Sequence, residues 1–243
     1  MAIKVAVFNQ KGGVGKTTLS VILTQIALMN KKRVLAVDQD ESNNFNLSIS
    51  YLKNDPNFKD LFSFKTVLTK KDFDSNVEWI IIDCPPALNG FSRFAIKNSD
   101  LIVIPVTPDP HNWSAVPFTI IRSAAGDYKQ SFQFPVVKVG FTDNVISKEA
   151  NRKIESLREI GCTVILDVPK YAKIQSNMFY EKWWSVGLKA LERQPFEHVY
   201  ARLSLLHRKL QELRRKNGEW NIDEHPDYID DPDNPDAVFF GRK

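Results

Sequence analysis

Nowhere in these 243 residues is there an uncharged apolar run of about 18, the length a membrane-crossing helix requires. The apolar opening, Ile3 to Phe8, is interrupted by Lys4 and is shorter than the core of a secretory leader, so a cytoplasmic protein with no membrane anchor is expected. Cysteine is nearly missing too. Cys84 and Cys162 lie far apart and form no CxxC pair, which argues against a disulfide framework and against a cysteine-based metal knot. Each reads instead as a small buried side chain. A helix-turn-helix pattern is also lacking, so any contact with DNA should be indifferent to base sequence.

Hydrophobic residues make up 43% of the chain, enough to bury one large core. The charge is unevenly spread. Residues 218–243 hold eight acids against Arg242 and Lys243, and residues 1–217 hold 31 bases against 21 acids. A single basic domain over 1–217 is expected, followed by an acidic, proline-broken tail over 218–243. The basic body points to a polyanionic partner.

The stretch that organises the chain is Asn9-Gln10-Lys11-Gly12-Gly13-Val14-Gly15-Lys16-Thr17-Thr18. It follows the apolar run 3–8 and precedes Leu19, Ile22, Leu23, Ile26 and Ala27 at helical spacing, which makes it a glycine-rich turn between a buried strand and a helix N-terminus. Glycines at 12, 13 and 15 let successive N–H groups close around phosphate oxygens, and the helix start adds unpaired N–H groups and a positive dipole end. Lys16 supplies charge to the β- and γ-phosphates, and the Thr17 hydroxyl is placed to hold Mg²⁺. Val14 and Thr18 complete the cradle. Gln10 stands where the usual phosphate-loop pattern has glycine, and Lys11 opens the loop as a second lysine.

Further carboxylates follow at strand ends. Arg33 to Asp38 reads as a second buried strand running into Asp38-Gln39-Asp40, and Glu78 to Asp83 as a third, followed by Cys84-Pro85-Pro86. An aspartate closing an apolar strand beside a phosphate loop is suited to the magnesium shell. The runs 99–106, 134–141 and 163–168 read as three more strands. Strands that alternate with helices and are apolar throughout specify a mostly parallel, twisted α/β sheet with helices on both faces. Between 42 and 76, Phe58, Leu61, Phe62, Phe64, Val67 and Leu68 suggest one or two short helices packed on the sheet. Helices are expected at about 114–128, 148–160, 174–184 and 196–216, with Gly161 closing the second of these.

Lys11-Gly12-Gly13-Val14-Gly15-Lys16-Thr17-Thr18, together with Asp38-Gln39-Asp40 and Asp83-Cys84-Pro85-Pro86, resembles the deviant phosphate loop and switches of the ParA/MinD-type ATPases, a P-loop NTPase family. The resemblance implies ATP and Mg²⁺ as cofactors and a homodimer closed on ATP. Within that dimer Lys11 reaches across to the other subunit's phosphates, Lys16 serves its own, and Asp40 positions the attacking water. It implies Mg²⁺ held by Thr17 and Asp83 with Asp38 in support, and a base site at Thr142 and Pro169. Glu41 and Ser42 replace the proline and glutamine that the family carries after its second aspartate.

Within the family, the short partition ATPases lack an N-terminal helix-turn-helix domain, and a strand that begins at residue 3 matches that form. They bind DNA nonspecifically through basic residues of the C-terminal half, and a ParB-like adaptor stimulates them. Residues 148–216 carry 15 bases against 8 acids, and Lys173, Lys182, Arg202, Arg208, Arg214 and Arg215 are the candidate phosphate contacts, with strong salt dependence. His111 and Trp113 fall in the region that faces the second subunit in the family. DNA partition is therefore the leading function. The alternative is a MinD-like or cargo-positioning ATPase acting on a membrane or a protein assembly. No membrane partner is expected, because the acidic end lacks an amphipathic basic helix.

Overall fold

A computed structural model of the chain describes residues 2–73, 76–109, 121–126, 129–156, 163–170 and 189–216. Seven strands form one sheet: β1 (Ile3–Val7), β2 (Val34–Asp38), β3 (Phe62–Lys65), β4 (Trp79–Asp83), β5 (Leu101–Val106), β6 (Val136–Val139) and β7 (Ile165–Val168). Their order is β3-β2-β4-β1-β5-β6-β7, and each neighbouring pair is parallel. β2, β4 and β5 are buried at every position, the signature of strands covered on both faces.

Alternation along the strands sorts the core into two layers. Val5, Val7, Val34, Ala36, Trp79 and Ile81 face α1 (Lys16–Met29), α2 (Asn44–Ile49) and the long α6 (Ala190–Lys216). Ala6, Leu35, Val37, Ile80, Ile82 and Ile102 face α4 (Gly90–Asn98), helical residues 121–125 and α5 (Val145–Ser156). Tyr200 of α6 stacks on Trp79 of β4 with ring centroids 4.7 Å apart, which seats the basic helix across the middle of the sheet. α3 (Lys70–Phe73) is a single turn.

Four expectations change. Residues 62–65 form an edge strand paired with β2, not a helix. Phe62 is buried and Phe64 half-buried while Ser63 and Lys65 are exposed, and four alternating residues set among other phenylalanines carry too little period-2 signal to be told from a helical stripe. α6 begins at Ala190 and contains Pro195. The carbonyl that Pro195 leaves without a helical N–H belongs to Leu191, which is 80% exposed, so water can take its place and the helix runs through. β6 is shorter than 134–141, starting at Val136 and ending at Val139. The helix expected over 148–160 starts earlier, at Val145. The expected helix 174–184, Gly161, Cys162, His111, Trp113, Lys173, Lys182 and the acidic tail lie outside the described residues. Cys84 is fully buried, as its reading anticipated. Among the described residues no helix is long and apolar enough to cross a membrane.

Candidate functional site: a phosphate loop at the centre of the sheet

β1 lies between β4 and β5, so the segment leaving it emerges at mid-sheet, where crevices open beyond the carboxyl ends of parallel strands. Asn9 pins the start of the loop. It is 2% exposed, its amide donates to the Pro105 carbonyl at 2.8 Å, and its side-chain oxygen accepts from the Lys11 N–H at 3.0 Å. Gly13 has φ +75° and Gly15 φ +94°, left-handed values that a side chain would strain. Gly15 caps α1, and neither a side-chain cap nor a first-turn acid satisfies the helix start. Its orphan N–H groups and dipole end are thereby left for an anion.

Lys16 is 7% exposed, and its amine donates to the Lys11 carbonyl at 3.0 Å, folding back under the loop. Burial lowers its pKa, against the opposing charges of Asp83 and Asp40. From the next positions of α1, Thr17 donates to Asp83 Oδ2 at 2.7 Å and Ser20 to Asp83 Oδ1 at 3.0 Å. Asp83 stands opposite Asp38 in the β2–β4 register. Burial pushes the Asp83 carboxyl up to about 7; the two hydroxyls oppose this, as does Lys16, while Asp38 adds to it.

Asp38 itself is turned toward the following segment. One oxygen accepts from the Asp40 N–H at 3.1 Å and the other from the Asn46 N–H at 3.0 Å, so it anchors the Gln39–Asn46 turn; burial raises its pKa. Asp40, partly exposed, accepts from the Ser42 N–H at 2.9 Å. Lys11 points outward, with its amine 3.8 Å from Asp109 Oδ2 and both side chains about half exposed.

The donor set suits a hard cation that keeps much of its water. Thr17 and Asp83 offer oxygen, and among the described residues no group of three or more His, Cys, Asp or Glu could hold a metal alone. Mg²⁺ characteristically takes its remaining ligands from substrate phosphates and water, and the space over Gly12 and Gly13 is open, since a Cβ built there meets nothing within 4 Å.

Beside the loop runs an apolar cleft lined by Val14, Leu19, Val139, Val168, Pro169 and Phe196, with Thr18, Thr107 and Lys170 as its polar side chains. Of the two positions expected at the base, Pro169 lines this cleft. Thr142 does not: it sits in the turn before α5 and its N–H donates to Ser147 Oγ at 3.1 Å. Gly140 follows Val139 of this lining and packs against Lys170. Its φ is +72°, and an added Cβ would stand 2.8 Å from Lys170 Cβ. Gly140→Ala is expected to cost about 1–3 kcal/mol of stability and to weaken nucleotide binding as the 169–170 loop is pushed off. Thermal melts with and without ATP test this, because a purely local strain would leave the ATP-induced shift intact.

Sequence reasoning did not single out Asn9, Ser20, Gly140 or Phe196. Ser20 lies one turn beyond Thr17 on the same helix face, a spacing that could have drawn attention to it.

On α6, Arg202, Arg208 and Arg215 are exposed, as are Lys209 and Lys216. Arg214 must be withdrawn from the outward-facing set. Its side chain is 20% exposed and bonded to the buried Asp100 at 3.1 Å, so it is committed to the interior rather than to a phosphate.

This sheet order and loop are those of a P-loop nucleoside triphosphatase. An AAA domain model matches residues 2–73. The chain resembles the ParA/MinD-type ATPases. It is 30% identical to the sporulation initiation inhibitor protein Soj of Bacillus subtilis over 144 residues, 42% of this chain and 57% of Soj. It is 32% identical to the maintenance of carboxysome distribution protein A (McdA) of Gloeobacter kilaueensis over 128 residues, 49% of this chain and 56% of that protein. The chain thus spans a little over half the length of these relatives. In fold it resembles apo McdA from Cyanothece, with TM-score 0.65 at 16% identity over 84% of this chain and all of that one. It also resembles MinD from Pyrococcus horikoshii, solved with Mg-ADP, with TM-score 0.60 at 15% identity over 88% and 99%.

Proposed function

We propose that the chain is a Mg²⁺-dependent ATPase that closes as a homodimer on two ATP molecules, binds DNA without sequence preference, and lets go when a ParB-like adaptor accelerates hydrolysis. The observation that supports this best is the opposite orientation of the loop's two lysines. Lys16 is folded inward beneath the loop, while among the described residues the Lys11 amine is turned outward to a half-exposed pair with Asp109. Such a pair contributes at most about 1 kcal/mol, so little opposes its transfer to a phosphoryl oxygen on a partner's nucleotide, as a cation supplied in trans.

Each remaining group has a place in this scheme. Lys16 and the first N–H groups of α1 bind the β- and γ-phosphates, and Thr17 and Asp83 hold the magnesium. Bound Mg²⁺ would neutralise charge developing on the phosphate oxygens. Asp38 fixes the turn that presents Asp40, and Asp40 orients the attacking water. Pro169 and Phe196 cover the base. Arg202, Arg208 and Arg215, with any contribution from Lys173 and Lys182, neutralise DNA phosphates.

A second reading keeps the same engine and changes the cargo. Similarity to two proteins named for carboxysome distribution, from Gloeobacter kilaueensis and Halothiobacillus neapolitanus, favours a protein assembly as that cargo, chosen by the adaptor.

ATP-dependent DNA binding by the wild type and Asp40→Ala tests the leading reading. The wild-type complex is expected to form with ATP and decay as ATP is consumed. Asp40→Ala is expected to hydrolyse at least tenfold more slowly and to keep a long-lived, DNA-bound dimer. Equal phosphate release from the two proteins would remove Asp40 from the mechanism, and ATP-loaded protein that stays monomeric and off DNA would remove the partition reading.

A further inference from the structure

We infer that Ser20 is a positioning residue that holds the Asp83 carboxylate in the orientation needed to receive the nucleotide-bound magnesium. This rests on the proposed ATPase reading of the site. Two hydroxyls from one face of α1 grip the two oxygens of Asp83 separately, Thr17 on Oδ2 at 2.7 Å and Ser20 on Oδ1 at 3.0 Å. Together they fix both the rotation and the plane of the carboxylate, which neither could do alone.

The two hydroxyls differ in reach. Thr17 is at the loop edge, only partly buried, where a cation would take it as a ligand. Ser20 is fully buried, a turn deeper, out of reach of any ion in the loop, so its contribution is to orientation alone. A restraint is needed because Asp38 is the backbone neighbour of Asp83 across the ladder, and two carboxylates side by side repel. The Ser20 oxygen also lies 3.1 Å from the Lys16 carbonyl. A hydroxyl has one proton to give, and an ionised carboxylate is the stronger acceptor, so the proton goes to Asp83 when the site is loaded.

Partners behind a metal ligand typically change metal affinity by about 10–100-fold when removed. The test is a Mg²⁺ titration of purified full-length protein carrying a fluorescent ATP analogue, with thermal melting in parallel. Ser20→Ala is expected to fold, since alanine favours the helix interior, and to need at least tenfold more Mg²⁺ for half-saturation of the magnesium-dependent signal. Thr24→Ala is the matched comparison. Thr24 is equally buried on the same helix, but its hydroxyl bonds the Ser20 carbonyl at 2.9 Å and never meets Asp83. Its Mg²⁺ requirement should equal that of the wild type. A Ser20→Ala midpoint within twofold of wild type, or equal shifts in both variants, overturns the assignment while leaving the ATPase reading standing. A wild type that ignores Mg²⁺ overturns both.

Discussion

Lys16→Ala is expected to leave the protein folded and to lower its affinity for ATP by roughly two to three orders of magnitude, through loss of about 3–4 kcal/mol of charged hydrogen bonding to phosphate. The lysine is nearly buried, with its amine on the Lys11 carbonyl, and burial already lowers its pKa. In the empty protein its ammonium is therefore a desolvated charge set against one neutral hydrogen bond and two nearby carboxylates. Removing it sacrifices little folding free energy, and the Lys11 carbonyl, at the half-exposed rim, can turn to water. With ATP bound the balance reverses, because the same amine then faces a multiply charged phosphate chain in a site of low local dielectric. Calorimetric binding should show the loss. Thermal melting should show an unchanged apo midpoint with no shift at an ATP concentration about 100 times the wild-type dissociation constant, where the wild type gains about 2.7 kcal/mol. A variant that still binds ATP within tenfold of wild type would place the phosphates elsewhere than on this loop.

The parts of this molecule that could be read from the amino-acid order are those whose physics is local. β2, β4 and β5 are buried at every position and β1 from Val5 to Val7, so they appear as apolar runs, broken in β1 by Lys4, and the loop sits where a strand pattern gives way to a helix pattern. The Asp83 carboxylate was legible because it closes such a run. What escaped depends on distant partners. Ser20 looks like any small residue within a helix until β4 brings Asp83 to it. Gly140 is marked as indispensable only by Lys170, which stands 2.8 Å from where its Cβ would be. Phe196 fits the apolar stripe of α6 equally well whether it covers core or cleft. Arg214 shares the composition of its basic neighbours, yet its partner, Asp100, lies 114 residues earlier at the start of β5. The edge strand β3, four residues long, was lost because alternation needs more length than that to declare itself.

Lys129→Met is expected to stabilise the protein by about 1–4 kcal/mol near pH 6.5, with the gain shrinking as pH rises toward 9. Lys129 is 7% exposed, and its amine donates to the Ser99 carbonyl. It belongs to a crowded group at the amino end of β5, where the buried Asp100 accepts from the Lys4 N–H at 2.9 Å and from Arg214 at 3.1 Å, with His207 Nδ1 3.6 Å away. One carboxylate thus faces several cationic or potentially cationic side chains. Desolvation is the largest effect on Lys129 and pushes its pKa down to about 7; Asp100 resists this, while Lys4 and Arg214 reinforce it. The folded pKa is below the unfolded value, so between about pH 7 and 10.5 the unfolded chain holds more protons than the folded one and stability rises with pH, by up to roughly 1.4 kcal/mol per unit. This increment is lost as pH falls through 7. Methionine fills similar volume without the charge, so urea unfolding across pH 6–9 should show a steeper rise for wild type than for the variant. Arg214→Met supplies the contrast. It strips Asp100 of a guanidinium 3.1 Å away and should destabilise by about 3–5 kcal/mol at neutral pH, with Asp100 losing one of the charges that help to keep its carboxyl below the usual range. Parallel pH slopes for wild type and Lys129→Met would mean that the lysine keeps its ordinary proton affinity, and that burial at this end of the sheet is relieved by water.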